Sequence, residues 1–267
     1  METSHINRWV TALIALPLLV LVILKGGAFL LTLLLVFVSG TALYEWNSIT
    51  SLGRSSLKIP GIIPFFLIPF VHFASFYSGH LYFLVILLSA GIILYGGLKY
   101  FDESEEHFKG VVYIFSGFVY TSVFLSFLGF IRQEQSGAAL IFFVLVSVFA
   151  SDTGAFYAGR NFGKTKLMPK VSPKKTVEGF AGGFILSIIS AVIFKLIFLD
   201  FVPFFNALLC GIAAGIATPL GDLFESMLKR VFNVKDSGTI LPGHGGILDR
   251  IDGLLFAAPF FYIFLNI

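Results

Sequence analysis

The hydrophobic residues of this chain form long, nearly unbroken segments that follow one another from end to end, separated by short polar stretches. Residues 29–38, for example, are apolar at almost every position. The strands of a transmembrane β-barrel would instead alternate apolar and polar residues. A helix that crosses the hydrocarbon core of a membrane needs roughly 17–25 predominantly apolar residues. The pattern therefore predicts an all-α polytopic membrane protein.

About nine segments are long enough to be predicted as transmembrane helices. They cover residues 9–24, 28–44, 59–76, 81–98, 111–131, 138–158, 179–199, 203–229 and 251–266. The first and the last are short. The first resembles a signal peptide because it follows Arg8, but no clear small-residue cleavage site comes after it. We therefore expect it to remain attached as a membrane span.

The composition supports a membrane protein and excludes several other classes. The chain is 57% hydrophobic and 12% charged, and its mean hydropathy is +0.93. A soluble domain has about 25% charged residues, so these residues are too few to cover a water-facing surface. A soluble globular protein and a disordered tail are excluded. The single cysteine, Cys210, also excludes a disulfide scaffold. The first expected partner is a lipid bilayer.

The basic residues predict the orientation in the membrane. If the spans alternate in direction, nearly all of the 18 Lys and Arg residues lie at the N-terminus or after the even-numbered spans. The exceptions are Lys25, Arg132 and Lys195. Because Lys and Arg accumulate in cytoplasmic loops, the N-terminus is predicted to be cytoplasmic and the C-terminus to lie outside. We expect the protein in the inner (cytoplasmic) membrane.

The unusual polar residues divide the chain into two predicted parts. Residues 1–137 form an N-terminal transmembrane bundle of five spans with short loops, in which no group of residues points to chemistry. Residues 138–267 form a C-terminal bundle of four spans that contains nearly all of the unexpected charges. The C-terminal bundle is therefore predicted to be the catalytic part.

Carboxylates inside apolar segments are the first sign of chemistry, because a charge within a membrane is costly and functional by default. In the eighth span, Asp222, Glu225 and Lys229 are spaced i, i+3 and i+7, which places them on one face of a helix. At the start of the ninth, Asp249 and Asp252 are again three residues apart. If the two faces meet, several carboxylates converge near the cytoplasmic surface.

Converging carboxylates repel one another unless a cation joins them. Oxygen ligands without a cluster of His or Cys suit Mg²⁺, which binds one or two carboxylates together with substrate phosphates. The alternative is a network of salt bridges between carboxylates and basic residues that ties the helices together. The spacing alone leaves both interpretations open.

Basic residues beside the acids favour phosphate chemistry. Lys229 and Arg230 end the eighth span, and Lys235 follows them. In the preceding cytoplasmic loop, Ser172 and Pro173 are a suitable N-cap and first residue of a helix. Such a helix start would present free N–H groups beside two lysines, as a phosphate site requires. A loop that contacts anionic lipid head groups is the alternative.

Carboxylates with Mg²⁺ inside a ring of Lys and Arg are what phosphoryl or nucleotidyl transfer needs. His244 adds an undecided element, because it lies in a glycine-rich loop just before Asp249. It could contact a phosphate or move a proton, or it could bond only to the backbone. Both interpretations remain open.

The region that contains these residues resembles the signature of the phosphatidate cytidylyltransferases, also called CDP-diacylglycerol synthases. The resemblance is carried by Ser226-Met227-Leu228-Lys229-Arg230, Lys235-Asp236-Ser237-Gly238 and Leu241-Pro242-Gly243-His244-Gly245-Gly246-Ile247-Leu248-Asp249-Arg250-Ile251-Asp252. The segment Ser172-Pro173-Lys174-Lys175-Thr176-Val177-Glu178-Gly179 is also similar to a stretch typical of that family, and Asp152 falls within a similar Ser-Asp-Thr. Outside residues 150–252 the likeness is one of hydropathy only.

The resemblance implies a reaction in which CTP and phosphatidic acid give CDP-diacylglycerol and pyrophosphate, with Mg²⁺ required and a second cation possible. Under it, the expected catalytic residues are Asp222, Lys229, Arg230, Asp249 and Asp252. The expected metal ligands among them are Asp222, Asp249 and Asp252. Substrate contacts are expected from Ser172, Lys174, Lys175, Thr176, Lys235, His244 and Arg250. Weaker candidates near the metal are Asp152, Glu178, Glu225 and Asp236.

Two other functions compete with this one. In a transporter, the buried acids would bind a coupling cation, but polar residues would then reach across the membrane, whereas here they gather at one face. A different lipid phosphotransferase that uses a CDP-alcohol would carry an Asp-rich helix motif that the sequence lacks. No nucleic acid is expected as a partner. A homodimer is expected, because GxxxG motifs at Gly179–Gly183 and Gly211–Gly215 allow close helix packing.

Overall fold

The computed structural model describes residues 2–50, 58–240 and 245–267, and helices dominate these ranges. The helices are α1 (Glu2–Lys25), α2 (Gly27–Thr50), α3 (Lys58–Tyr77), α4 (Gly79–Lys99), α5 (Glu105–Phe118), α6 (Phe124–Gln133), α7 (Gly137–Phe162), α8 (Val177–Phe198), α9 (Phe204–Val231) and α10 (Leu248–Leu265). A π-helical segment, Val119–Val123, joins α5 to α6. Two short strands, β1 (Lys166–Met168) and β2 (Ser172–Thr176), pair antiparallel between α7 and α8.

Seven helices in the described part of the chain are long and apolar enough to cross a membrane. They are Gly27–Thr50, Pro60–Tyr77, Gly79–Lys99, Glu105–Gln133, Gly137–Phe162, Val177–Phe198 and Phe204–Val231. Their outer faces carry large apolar side chains such as Phe66 and Leu87, each 71% exposed, as lipid-facing residues would be. The prediction of an all-α polytopic membrane protein is confirmed.

The other two predicted spans also lie on helices. The first falls on α1, whose apolar portion is Ala15–Lys25. The last falls on α10, which carries Asp249, Arg250 and Asp252 in its first two turns. Both helices therefore contain fewer uninterrupted apolar residues than the seven above, and their crossing of the membrane stays a prediction.

The chain forms two compact units, which divide the sequence differently from the predicted boundary after residue 137. The first unit contains residues 1–130 together with 234–249, so part of the signature region belongs with the N-terminal helices. Its apolar core includes Leu43, Ile68 and Phe118. These units describe packing and do not test the predicted division into two membrane bundles, which stays a prediction.

The second unit contains residues 131–233 and 250–267. Its helices approach closely through small residues. A Cβ atom at Gly183 would lie 2.6 Å from the Ser151 carbonyl oxygen on α7, and one at Gly211 would lie 2.8 Å from Ile188 Cα on α8. Both GxxxG motifs are therefore used for packing inside the chain. They give no separate support to a homodimer, which stays a prediction.

A β-hairpin stands where the sequence predicted a helix start. Ser172 belongs to β2, and α8 begins only at Val177, with Thr176 as its N-cap accepting a hydrogen bond from Gly179 N at 3.1 Å. The prediction of Ser172 and Pro173 as the N-cap and first helical residue is wrong. Thr176 is an equally suitable cap and stands directly before the long apolar run, which explains why the helix begins there.

Candidate active site

Two ion pairs in the second unit form the centre of the candidate site. Lys175 in β2 places its Nζ 2.7 Å from Asp222 Oδ2 on α9. One turn later on α9, Lys229 Nζ lies 3.1 Å from Glu225 Oε2. The second pair is the more deeply buried, since the Glu225 side chain is only 1% exposed whereas that of Asp222 is 39% exposed. Each acid on this face of α9 is therefore matched by a lysine.

Two further carboxylates join these pairs. Asp152 on α7 interacts electrostatically with Asp222 and Lys175. Asp252 on α10 experiences repulsion from Asp222 and Asp152, and its side chain hydrogen-bonds that of Glu225. We call the set of Asp152, Lys175, Asp222, Glu225, Lys229 and Asp252 the acid–lysine network.

A close crossing of α9 and α10 brings the acids of these two helices together. A Cβ atom at Gly221 would collide with the backbone carbonyl of Asp252, and one at Gly253 would lie 2.6 Å from Thr218 Cγ2. Only glycine allows the two backbones to approach this closely. Pro219 lies inside this part of α9, and the helix continues through it. Asp222 and Asp252 are thereby brought near each other, which their spacing along the two helices had left open.

The chemistry of the acid–lysine network fits a hard cation in part. Its donors are all carboxylate oxygens, and four acids stand against two lysines, so negative groups are in excess. Within the network, Asp152 is exposed, whereas Glu225 is buried. Within residues 2–50, 58–240 and 245–267, however, no group of three or more His, Cys, Asp or Glu side chains is arranged to hold a metal ion. The donor type suits Mg²⁺, and magnesium binding stays a prediction.

Asp249, predicted as a strong metal ligand, has other contacts in the structure. It belongs to the first unit, where its Oδ2 accepts hydrogen bonds from Ser237 N, Ser237 Oγ and Gly246 N, each at 3.0 Å. These bonds close the loop that precedes α10 and hold the carboxylate at the start of that helix. The role of Asp249 as a metal ligand stays a prediction.

Two other predicted site residues support the β-hairpin. Glu178 accepts hydrogen bonds from the backbone N–H groups of Lys164 and Thr165, at 3.0 and 3.1 Å. Arg230 donates from Nε to the carbonyl oxygen of Val171 at 3.2 Å. Both side chains therefore fix the hairpin that carries Lys175, and so act on the network through it.

The remaining predicted site residues are not members of the acid–lysine network. Ser172 is half-buried and Thr176 is buried at the N-cap of α8. The side chains that stand exposed are Lys174, Lys235, Asp236 and Arg250. His244 lies outside the described residues, so the question left open for it is unchanged.

Sequence reasoning missed one buried acid, Glu45 on α2. Its side chain is 1% exposed, and its carboxylate accepts hydrogen bonds from Ile247 N, Leu248 N and Ser237 Oγ, at 3.0, 2.8 and 3.0 Å. The signal was present, because an acid within an apolar helix is unusual anywhere in a membrane protein. The predicted second span ended one residue too early to include Glu45.

Comparison with known proteins places this geometry in context. The model of a family described as "Cytidylyltransferase family" matches residues 6–267. A phosphatidate cytidylyltransferase of Bacillus subtilis is 38% identical over 263 residues, which cover 95% of this chain and 94% of that protein. One from Staphylococcus saprophyticus is 39% identical over 264 residues, covering 97% and 98%. One from Thermotoga maritima is 39% identical over 189 residues, or 69% of each chain.

Proposed function

The chain belongs to the cytidylyltransferase family, whose members are nucleotidyltransferases, and from this premise we propose that it converts CTP and phosphatidic acid into CDP-diacylglycerol and pyrophosphate. The similarity extends over nearly the full length of relatives that carry the name phosphatidate cytidylyltransferase. The observation that carries the proposal within this chain is the acid–lysine network, which joins side chains from α7, β2, α9 and α10.

The reaction makes one bond and breaks one bond. A phosphate oxygen of phosphatidic acid bonds to the α-phosphorus of CTP, and the bond from that phosphorus to the oxygen bridging the β-phosphate breaks. The lipid phosphate is already ionised, so no strong base has to remove a proton. The difficulty is to bring two anions together and to stabilise the charge that passes to pyrophosphate.

Lysine side chains of the network address this difficulty. Lys175 is the better placed of the two, because its partner Asp222 is partly exposed and a phosphate can compete for the ammonium group. Lys229 is held by the buried Glu225 and supplies a fixed positive charge. Exposed Lys174, next to Lys175 in the chain, adds to the positive charge that would attract CTP and an anionic lipid head group. A substrate contact from the exposed Lys235 is also proposed.

Asp222 and Asp252 are the residues of the network that would hold Mg²⁺, and Asp249 is the third predicted ligand. Mg²⁺ when bound neutralises charge on the triphosphate and on the leaving pyrophosphate. The excess of carboxylates over lysines supports this assignment, because it leaves negative charge that a divalent cation would balance. A second cation at the same acids is also part of the proposal.

The decisive experiment uses the purified full chain in detergent or nanodiscs with labelled CTP, phosphatidic acid and Mg²⁺. We expect CDP-diacylglycerol and pyrophosphate in equal amounts, and no product when EDTA replaces Mg²⁺. Product analysis separates this enzyme from a lipid phosphotransferase that acts on a CDP-alcohol. A folded sample that forms no CDP-diacylglycerol would refute the proposed reaction, and full activity in EDTA would refute only the magnesium requirement.

We further propose that the site lies at the cytoplasmic face of the inner membrane, with the N-terminus on the same side. The support is the concentration of Lys and Arg in loops on one side. The single cysteine, Cys210, is fully buried, so Cys210→Ser gives a background for labelling. A cysteine at position 170 should react with an impermeant maleimide from the cytoplasmic side only, and one at position 200 from the opposite side only. The reverse pattern would overturn the orientation.

A further inference from the structure

Glu45 satisfies the start of a helix that lies about 200 positions further along the chain. Its two carboxylate oxygens accept hydrogen bonds from Ile247 N and Leu248 N, separated from it by 202 and 203 positions. Leu248 is the first residue of α10. The first N–H groups of a helix have no partner within the helix, and a negative charge there is favoured by the helix dipole. Glu45 therefore acts as an N-terminal cap supplied by α2.

Ser237 connects Glu45 to Asp249. Its Oγ lies 3.0 Å from Glu45 Oε2 and 3.0 Å from Asp249 Oδ2, and it accepts a hydrogen bond from Asp249 N at 3.3 Å. A hydroxyl has one proton, so the two carboxylates share a single donor. A change in the Glu45 side chain therefore alters the hydrogen bond from Ser237 Oγ to the Asp249 carboxylate.

Two glycines of the signature region are required by the same carboxylate. A Cβ atom at Gly238 would lie 2.5 Å from Glu45 Oε1. At Gly246, a Cβ atom would lie 2.5 Å from Glu45 Oε2 and would collide with Ser237 Oγ. Both distances are shorter than real Cβ contacts, so any side chain would displace Glu45 or the loop. The glycines of this segment allow it to close around a buried acid.

We propose that Glu45 is a positioning residue for the transferase reaction. Its carboxylate holds Ser237 and the residues 246–248 in one arrangement. Through Ser237, it also fixes the side chain of Asp249 at the start of α10. The proposal that this matters for turnover rests on the proposed function, whereas the effect on the loop can be measured without any substrate. Charge and shape are both needed, since the groups around Glu45 are N–H and O–H donors that bond to both of its carboxylate oxygens.

The test uses Glu45→Gln, which keeps the shape of the side chain but replaces one acceptor oxygen by a donor. Hydrogen exchange of the amides in residues 245–249 should accelerate by roughly tenfold. In the same sample, kcat should fall by about 10- to 100-fold, while KM for CTP stays within about threefold. Glu105→Gln is the matched control. It removes the same charge from an exposed pair with Lys109 and should change neither measurement.

Ser237→Ala is the second variant, and it keeps the test informative if Glu45→Gln fails to fold. It removes the connection to Asp249 but leaves the bonds from Ile247 and Leu248 to Glu45. We expect a lower kcat with the Ile247 and Leu248 amides still protected. In the double variant kcat should fall no further than in Glu45→Gln alone, because both changes break the same connection.

The outcomes are distinguishable. Unchanged amide exchange in Glu45→Gln would overturn the claim that this acid holds the loop. Faster exchange with kcat within about twofold of the wild type would overturn its role in turnover. If the wild-type protein makes no CDP-diacylglycerol, the proposed function fails, but the exchange measurement still decides whether Glu45 positions Asp249.

Discussion

Two groups of acids in this protein are neutralised in different ways. Glu45 and Asp249, in the first unit, accept hydrogen bonds from backbone N–H groups and from the hydroxyl of Ser237. Asp222 and Glu225, in the second unit, are paired with lysine ammonium groups. Backbone donors at a helix start are fixed in place, whereas a lysine on a flexible side chain can exchange one anion for another.

This difference suits the first group of acids to holding a loop in place and the second group to binding substrate and a cation. Acids held by the backbone have little freedom, so they are suited to setting the shape of a loop. Acids held by lysines can release them to a phosphate and accept a cation in exchange. The comparison predicts that substitutions in the first group alter loop dynamics together with activity. Substitutions in the second group should alter activity or global stability and leave the loop unchanged.

Asp222→Asn should have the largest effect. It removes the partly exposed charge that pairs with Lys175 and that we propose as a ligand of Mg²⁺. We expect turnover to fall by about 10²- to 10³-fold, because charge stabilisation in the transition state is lost. Amide exchange in residues 245–249 should stay at the wild-type rate. Activity near that of the wild type would remove Asp222 from the catalytic group.

Asp200→Asn serves as its control, because it removes a carboxylate from the exposed segment between α8 and α9. Turnover in this variant should match that of the wild type. A comparable loss of activity in both variants would show that a general change of charge, rather than the position of Asp222, is responsible.

Lys229→Met should have the next largest effect, and on stability first. It leaves Glu225, 1% exposed, without its ammonium partner, and breaking a buried ion pair in this way costs about 3–5 kcal/mol. The unfolding temperature in detergent should fall clearly. Lys175→Met is its counterpart, because the acid left behind, Asp222, is 39% exposed and can be hydrated, so we expect a loss of only about 1 kcal/mol. We expect Lys175→Met to lose activity with only a small fall in its unfolding temperature. If Lys229→Met and Lys175→Met lose stability equally, the proposed difference between the two ion pairs is wrong.

Gly246→Ala should have a smaller effect, confined to the first group. The added methyl group would collide with Ser237 Oγ and press on Glu45, so the loop should loosen and turnover should fall by about tenfold. Gly91→Ala provides the comparison, since a Cβ atom there meets nothing within 4 Å and alanine favours the helix. Hydrogen exchange and activity should be unchanged in that variant. If Gly246→Ala behaves in the same way, the packing of the loop against Glu45 is not needed.

The sequence predicted the parts of this protein that depend on local spacing. Apolar runs predicted the helices. The three-residue spacing predicted that Asp222 and Glu225 share one face of α9 and that Asp249 and Asp252 share one face at the start of α10, but whether the two faces meet was left open. The pairing of Lys229 with Glu225 follows from the same helical repeat. Which residues share a face of one helix needs no knowledge of distant partners, because the period of the helix alone fixes the face.

Contacts between distant segments were beyond the reach of spacing. Nothing around Glu45 indicates that its partners are Ile247 and Leu248, because chain separation carries no information about tertiary neighbours. The start of α8 was misplaced because Ser172 and Thr176 are both suitable caps, and pairing of β2 with β1 decided between them. The bonds from Ser237 and Gly246 to Asp249 were likewise beyond the reach of spacing, and its role as a metal ligand stays a prediction.

The bond from Glu45 to the start of α10 also has a consequence for biosynthesis. A ribosome adds about 5–20 residues per second, so Glu45 is synthesised at least about ten seconds before Ile247 and Leu248. During that interval, the Glu45 carboxyl group lies on an apolar helix, while its hydrogen-bond donors Ser237, Ile247 and Leu248 have not yet been synthesised. The Glu45 carboxylate can therefore be satisfied only once synthesis of the chain is nearly complete, and not when the early helices insert.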